Sequence, residues 1–457
     1  MEVHHHNENK KIKIKTNMKQ LFQLLLLFIG LNVSAQNALT LGDPHQAGFS
    51  KEGLARVDSF LKIETANKVI PGSIGMIVRN GKVVYKKAFG KANIENNEAM
   101  RTDHLFRMAS MTKIVTAVAA LKLYERGLFT METPLEQILP EFKEMQVLTG
   151  YDEVNKKFIT KPAKNKILMK HLFTHTSGVV YPPFATTGKE GYIKSDVPTA
   201  FPKAHNNKSL ATIIKDAAKL PLAHEPGESW TYGINLDILG RVIEVLDGRS
   251  FPDFLRQEIF IPLKMKRTFI GVPANEWKNL AQVYTKDNSG NFSIYDDEVA
   301  KSLLGISTAS SMDYWKDTDT KIAFGGSDIV SCVDDYARFF QMILNYGQLD
   351  GVQIIGKKTV EMIEKTHYDL ETKDPVSYVV AGSTKFRSGI SVYVYPEEQV
   401  KFEEISAGTY FWLGYFGTQF WIDRKENMFA IIMTQIAPET TGHNNKFRHF
   451  VWGSIAK

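Results

Sequence analysis

The 457-residue chain has a single cysteine, Cys332, so no intramolecular disulfide can form. Its stability must come from an apolar core, and a chain this long can bury one without covalent staples. A lone cysteine can also serve as a nucleophile, but no histidine and asparagine context supports that here, and Cys332 reads as a small buried residue. Long apolar runs are missing too. No segment reaches the roughly eighteen unbroken apolar residues of a membrane-spanning helix. There is no basic stripe with interleaved aromatics, so nucleic acid is not an expected partner. There is no Gly-x-Ser-x-Gly elbow, which excludes an α/β-hydrolase. His171 and His175 lie four apart, yet no glutamate completes a His-Glu-x-x-His zinc site. No metal or other cofactor is expected.

What is present looks globular. Apolar residues make up 43% and charged residues 23%, which fits one large domain or two intimate ones. The formal charge of +6 is concentrated at the start. There Lys10, Lys11, Lys13, Lys15 and Lys19 stand against Glu2 and Glu8, so half of the net charge lies in nineteen residues. Leu21 to Leu31 then runs apolar apart from Gln23, and Val33-Ser34-Ala35 supplies small residues. This is the pattern of a secretory signal cut before Gln36. Met18 is an alternative start, and His4-His5-His6 belongs to the extension, not to a metal site. No cysteine follows the run, so a lipid anchor is not available. The expectation is an upstream extension and signal over 1–35, then one exported domain over 36–457 without a stable membrane anchor.

Residues 50–67 read as an amphipathic helix capped by Ser50. Ser73–Arg79 and Lys82–Phe89 read as strands joined by Asn80-Gly81, a strong two-residue hairpin signal. Helical patterns follow over 111–126, 166–174, 234–246 and 333–346. The stretch 179–208 is rich in Pro, Gly, Thr and Asn and reads as a long surface loop, of a length that in compact enzymes is usually functional or disordered. After 375 the chain turns to strands: Tyr378–Gly382, Ile390–Tyr395, Thr418–Ile422 and Met428–Thr434. A closing helix is expected over 446–455. Strands at both ends with helices between them imply an α+β fold. An antiparallel sheet is built from 36–102 and 331–457, with a mainly helical part over 103–330.

The chemistry starts at Ser110-Met111-Thr112-Lys113. Three residues apart on a helix, the serine and lysine share one face. A serine needs an adjacent base, and a lysine serves only if its amine is neutral. Burial achieves that, and Lys113 sits among Ile114, Val115, Ala117, Val118 and Ala119. Ser110 opens the helix, where backbone N–H groups favour a developing oxyanion. The spacing alone is weak, because Ser59…Lys62 and Ser454…Lys457 repeat it. The first of these lies mid-helix among charges, and the second ends the chain.

Two further pieces lie downstream. Tyr232 follows the Pro226-Gly227 turn just before a helix, and a phenol held near two cations can lose its proton well below its usual pKa. Trp412-Leu413-Gly414 leads through Tyr415 into a strand, where a glycine lets a ligand approach the backbone. Taken alone, a packed tyrosine and an aromatic core strand explain these two equally well. Ser177 lacks a base nearby in sequence.

Together the pieces resemble the serine β-lactamase and penicillin-binding-protein superfamily, in its class C-like branch with the family VIII carboxylesterases. Ser110 and Lys113 match its Ser-x-x-Lys motif. Tyr232, with Asp237 and Gly240 following, matches the esterase form of the second motif. Trp412-Leu413-Gly414 matches the third. Leu172-Phe173-Thr174-His175-Thr176-Ser177-Gly178, Gly325-Gly326-Ser327-Asp328 and Phe420-Trp421-Ile422-Asp423 carry the likeness over about 45–455. The resemblance implies a β-lactamase-like fold and a serine acylated at Ser110, with Lys113 and Tyr232 exchanging its proton. The oxyanion would be held by the N–H groups of Ser110 and Tyr415, and the groove lined by Trp412 and Gly414. Two departures matter. Ile234 stands where penicillin-recognising members have asparagine, and Trp412 stands where they have a lysine that anchors a substrate carboxylate. These favour a small ester or amide without a carboxylate. A D-amino-acid peptidase or amidase, a weak β-lactamase and a non-catalytic scaffold remain as alternatives, and oligomeric state is unreadable.

Overall fold

The computed structural model describes residues 39–195, 197, 209–304, 314–316, 323–382, 385–439 and 441–457. The expected leader at 1–35 and the end of the expected loop, 198–208, lie outside the described residues. Among the described residues ten strands form the main sheet. Four come early: β1 (Thr40–Leu41), β2 (Gly72–Arg79), β3 (Lys82–Asn93) and β4 (Glu98–Ala99). Six come late: β5 (Tyr368–Glu371), β6 (Lys385–Ser388), β7 (Tyr393–Val394), β8 (Tyr410–Leu413), β9 (Gln419–Asp423) and β10 (Met428–Thr434). The order is β1-β3-β2-β10-β9-β8-β7-β6-β5, with β4 beside β3.

The hairpin between β2 and β3 turns on Asn80 and Gly81, both at positive φ (54° and 72°). Two successive left-handed residues give the turn whose twist suits paired strands. β2 then pairs antiparallel with β10, from Ser73–Thr434 to Arg79–Met428, so the two chain ends share one sheet. One pairing departs from the expected antiparallel pattern: Thr40 lies parallel beside Lys82. Every residue of β2 is buried, because helices cover both faces.

On one face lie α1 (Lys51–Ala66) and the closing helix. Ser50 caps α1 by accepting the Gly53 N–H at 3.0 Å. Its buried stripe is Val57, Phe60 and Leu61, each contributing about 1.5–3 kcal/mol by burial. The central helices are α2 (Thr112–Glu125), α3 (Asn235–Asp247) and α4 (Val333–Leu344). β9 alternates between the faces. Phe420 stacks on Phe340 of α4, while Trp421 meets Phe447 and Trp452 of the closing helix. Cys332 is buried at the start of α4, as expected. Among the described residues no helix is long and apolar enough to cross a membrane.

Several expected boundaries change. The strand expected at Tyr378–Gly382 lies in helix α5 (Pro375–Ala381). Asp374 accepts the Val376 N–H at 2.9 Å and Pro375 occupies the first helical position, and this N-terminal chemistry outweighs the β-rich Val-Ser-Tyr-Val-Val run. The closing helix, α6, spans His443–Trp452, shifted from 446–455. The helix expected at 166–174 is Met169–Phe173. The part expected to be mainly helical also holds two hairpins, Gln146–Asp152 with Lys157–Pro162 and Tyr284–Lys286 with Phe292–Ile294. The expected loop from 179 contains a short helix, Lys189–Lys194.

Candidate active site

α2 is apolar on every side, and Thr112 through Leu121 are all buried. Such a helix belongs in an interior, and this one carries Lys113 in with it. A short 3-10 turn, Ala109–Met111, leads into α2. Ala109 holds a left-handed φ of 45°, which costs a non-glycine residue about 1–2 kcal/mol. That kink sets Ser110 in the wall of a cavity of about 260 Å³.

The three expected side chains meet there. Ser110 Oγ lies 2.6 Å from Tyr232 Oη and 3.1 Å from Lys113 Nζ. Lys113 is 1% exposed. Burial holds its amine down to about 7, against the opposing pull of Asp237 and Asp328. A neutral amine has two N–H bonds and one lone pair. The Gly326 carbonyl accepts one N–H at 2.8 Å, and Tyr181 Oη stands 3.5 Å away for the other. The lone pair is left for the Ser110 proton.

Asp237 fixes both of those neighbours. Its Oδ2 accepts the Tyr181 hydroxyl at 2.9 Å, and its Oδ1 accepts the Gly326 N–H at 2.8 Å. A Cβ at Gly326 would overlap Tyr181 Oη, so the close approach needs glycine. Tyr181, Gly326 and the role of Asp237 were not assigned from the sequence. Tyr181 fell inside the expected loop. Asp237 lies in the Tyr232 motif, and a carboxylate at the start of an apolar helix was its one legible signal.

Tyr232 is set by Asp374, whose Oδ2 accepts its backbone N–H at 2.8 Å. Its ring stands among His175, at 5.2 Å, and Trp412, at 5.9 Å. Burial pushes the Tyr232 hydroxyl up, and the Ser110 hydrogen bond and the Trp412 indole offset only part of it. Lys113 Nζ lies 4.8 Å from the ring centroid.

Trp412, Leu413, Gly414 and Tyr415 line the same cavity, opposite Phe184. Trp412 is buried, and its ring lies 10° from the His175 plane. A Cβ at Gly414 would overlap the Met108 carbonyl, which is how β8 packs so close to the Ser110 turn. The weaker candidates are accounted for. His171 takes the Leu168 N–H at 3.1 Å, and its helix stops at Phe173. His175 lies beyond that end, at a φ of 55°, with Nδ1 on the Asn235 amide. The two imidazoles therefore share no helix face. Ser177 Oγ donates to Asn235 Oδ1 at 2.5 Å. Ser59 and Ser454 each return to a backbone carbonyl one turn back.

Residues 57–449 match the family described as Beta-lactamase. The chain is 28% identical over 339 residues to the ML-236A carboxylate methylbutanoyltransferase of Penicillium citrinum, covering 72% of this chain and 73% of that one. It is 29% identical over 212 residues to esterase EstB of Burkholderia gladioli, covering 46% and 50%. The fold superposes on that of EstCE1, a hydrolase with promiscuous acyltransferase activity, at a TM-score of 0.73 and 21% identity, covering 89% of this chain and 99% of that one. These relatives are esterases and acyltransferases, which supports a hydrolase or acyl-transfer role.

Proposed function

The chain belongs to the beta-lactamase family, and from that premise we propose that it is an exported serine hydrolase forming an acyl-enzyme on Ser110 from small esters or amides. The observation that carries this is the position of Ser110 Oγ, within hydrogen-bond reach of Lys113 Nζ at 3.1 Å and of Tyr232 Oη at 2.6 Å. Ser110 attacks the carbonyl carbon, and its proton passes to the neutral amine of Lys113. The raised pKa of Tyr232 keeps the phenol protonated, so it serves as a relay and not as the base. It hands its proton to the leaving oxygen or nitrogen and is refilled from Lys113. The N–H groups of Ser110 and Tyr415 hold the oxyanion. Water then adds to the acyl carbonyl by the same proton route in reverse, which frees Ser110 and releases the acid. The apolar wall at Trp412 and Leu413 supports a substrate without a carboxylate anchor. Export rests on the leader pattern before Gln36.

Covalent labelling tests the assignment. A fluorophosphonate probe followed by peptide mass spectrometry is expected to mark Ser110 and to leave Ser110→Ala unmarked; an adduct elsewhere overturns it. p-Nitrophenyl acetate is expected to turn over faster than D-alanyl peptides or nitrocefin. The reverse order favours the peptidase or β-lactamase alternative, and the absence of an acylation burst favours the scaffold.

A further inference from the structure

One charged side chain, Glu439, lines the cavity among the described residues. It follows Pro438 in the loop after β10 and is held rigidly. Its Oε1 accepts the Thr441 N–H at 2.7 Å, the Thr441 hydroxyl at 2.6 Å, the Gly442 N–H at 3.1 Å and His443 Nδ1 at 3.1 Å. All four donors converge on one oxygen. Oε2 takes no donor among the described residues, although the side chain is 14% exposed and borders the cavity. A carboxylate with one saturated oxygen and one open oxygen is fixed in place yet still able to receive a charge.

Its own charge persists. The donors to Oε1 hold the carboxyl down to about 2, although burial works the other way. His443 Nδ1 faces Glu439 Oε1, so Oε2 is the oxygen left open toward the cavity. Apart from hydroxyls such as those of Ser110 and Tyr232, the remaining lining is apolar, including Phe184, Val376, Val380 and Trp412. In such low-polarity surroundings one unscreened charge acts strongly on whatever enters.

We infer that Glu439 sets the charge selectivity of the site, admitting substrates whose acyl or leaving group carries a cation and rejecting those that carry a carboxylate. This inference rests on the proposed acyl-transfer chemistry at Ser110, and it adds a substrate class. It also gives a second reason, beside the missing lysine, for a carboxylate-bearing substrate to bind poorly. Absence of an anchor removes attraction, whereas Glu439 adds repulsion.

The test uses three p-nitrophenyl esters of matched shape: 4-(trimethylammonio)butanoate, the neutral 5,5-dimethylhexanoate, and the anionic monoester of glutarate. For the wild-type chain the cationic ester is expected to exceed the anionic one in kcat/KM by about tenfold or more. Glu439→Gln keeps an oxygen for the same donors and is expected to bring that ratio close to one, each rate being normalised to the neutral ester of the same variant. As a check that needs no variant, raising salt on the wild-type chain should compress the ratio. Equal wild-type rates for the three esters, or a ratio that survives Glu439→Gln, overturn the inference. The dissociation constants of the three matching methyl ketones give the same ranking without turnover. If the ketones rank by charge while no ester is cleaved, the acyl-enzyme reading fails and the selectivity stands. If the esters are cleaved without ranking, the selectivity fails and the chemistry stands.

Discussion

Asp237→Asn probes whether Lys113 is a base tuned by its surroundings. Asp237 reaches the amine through Tyr181, with legs of 3.5 Å and 2.9 Å that cap the charge separation at 6.4 Å. At an effective dielectric of about 20, a unit pair at that distance is worth about 2.6 kcal/mol, or about two pK units. Asparagine preserves the shape: its oxygen can still accept the Gly326 N–H and its amide can donate to Tyr181. The charge is lost, and the Tyr181 hydroxyl, which donated to Asp237, turns its proton elsewhere. Because Asp237 raises the Lys113 value against desolvation, removing it lets the amine fall further below about 7. The acid limb of kcat/KM reports this ionisation in the free enzyme. Measured by pH-stat titration of p-nitrophenyl acetate hydrolysis, the limb is expected near 7 in the wild type and about one to two units lower in the variant. A limb that stays where it was, or moves to higher pH, refutes Lys113 as the base.

Two other outcomes follow from the same geometry. Lys113→Met is expected to be inactive and to remove the pH-dependent cost of burying an amine. The native value of about 7 lies below the free value of 10.5, so between them the unfolded chain binds more protons and wild-type stability rises with pH. The penalty is complete below that window, so the variant's gain in urea midpoint should shrink from pH 6 toward pH 10; a gain that does not shrink refutes the buried neutral amine. Gly414→Ala forces a methyl against the Met108 carbonyl, and a wall displaced beside Ser110 should cost about 10- to 100-fold in kcat/KM. Normal kinetics would show that β8 tolerates the shift.

The parts of this protein with local causes were legible. Asn80-Gly81 announced its hairpin, and Ser50 its helix. The apolar sequence around Lys113 announced burial, and the Ser110–Lys113–Tyr232 meeting was readable once three weak motifs were taken in order. What escaped depends on distant partners. Val376, Val379 and Val380 look like strand residues, but the Asp374-Pro375 start made a helix of them, and that same Asp374 holds the Tyr232 backbone. Tyr181 sits in a loop-like stretch and gains its role only from Lys113 and Asp237, 68 and 56 residues onward or back. The ionisation of Tyr232 was not legible because burial, invisible in the motif, dominates it.

The pairing of β2 with β10 also sets an order of assembly. β2 and β3 can fold as a hairpin early, but the other edge of β2 has no partner until the chain has been made through Thr434. Until then a wholly buried strand presents open N–H and C=O groups, which invites pairing with other chains. Such long-range closure is slow, since the intervening loop must be ordered before the contact repays it. Ser110 and Lys113 are made in the first quarter of the chain, whereas the Trp412–Gly414 wall arrives near the end. Ser110 therefore waits, its surroundings unfinished, for the last strands to arrive.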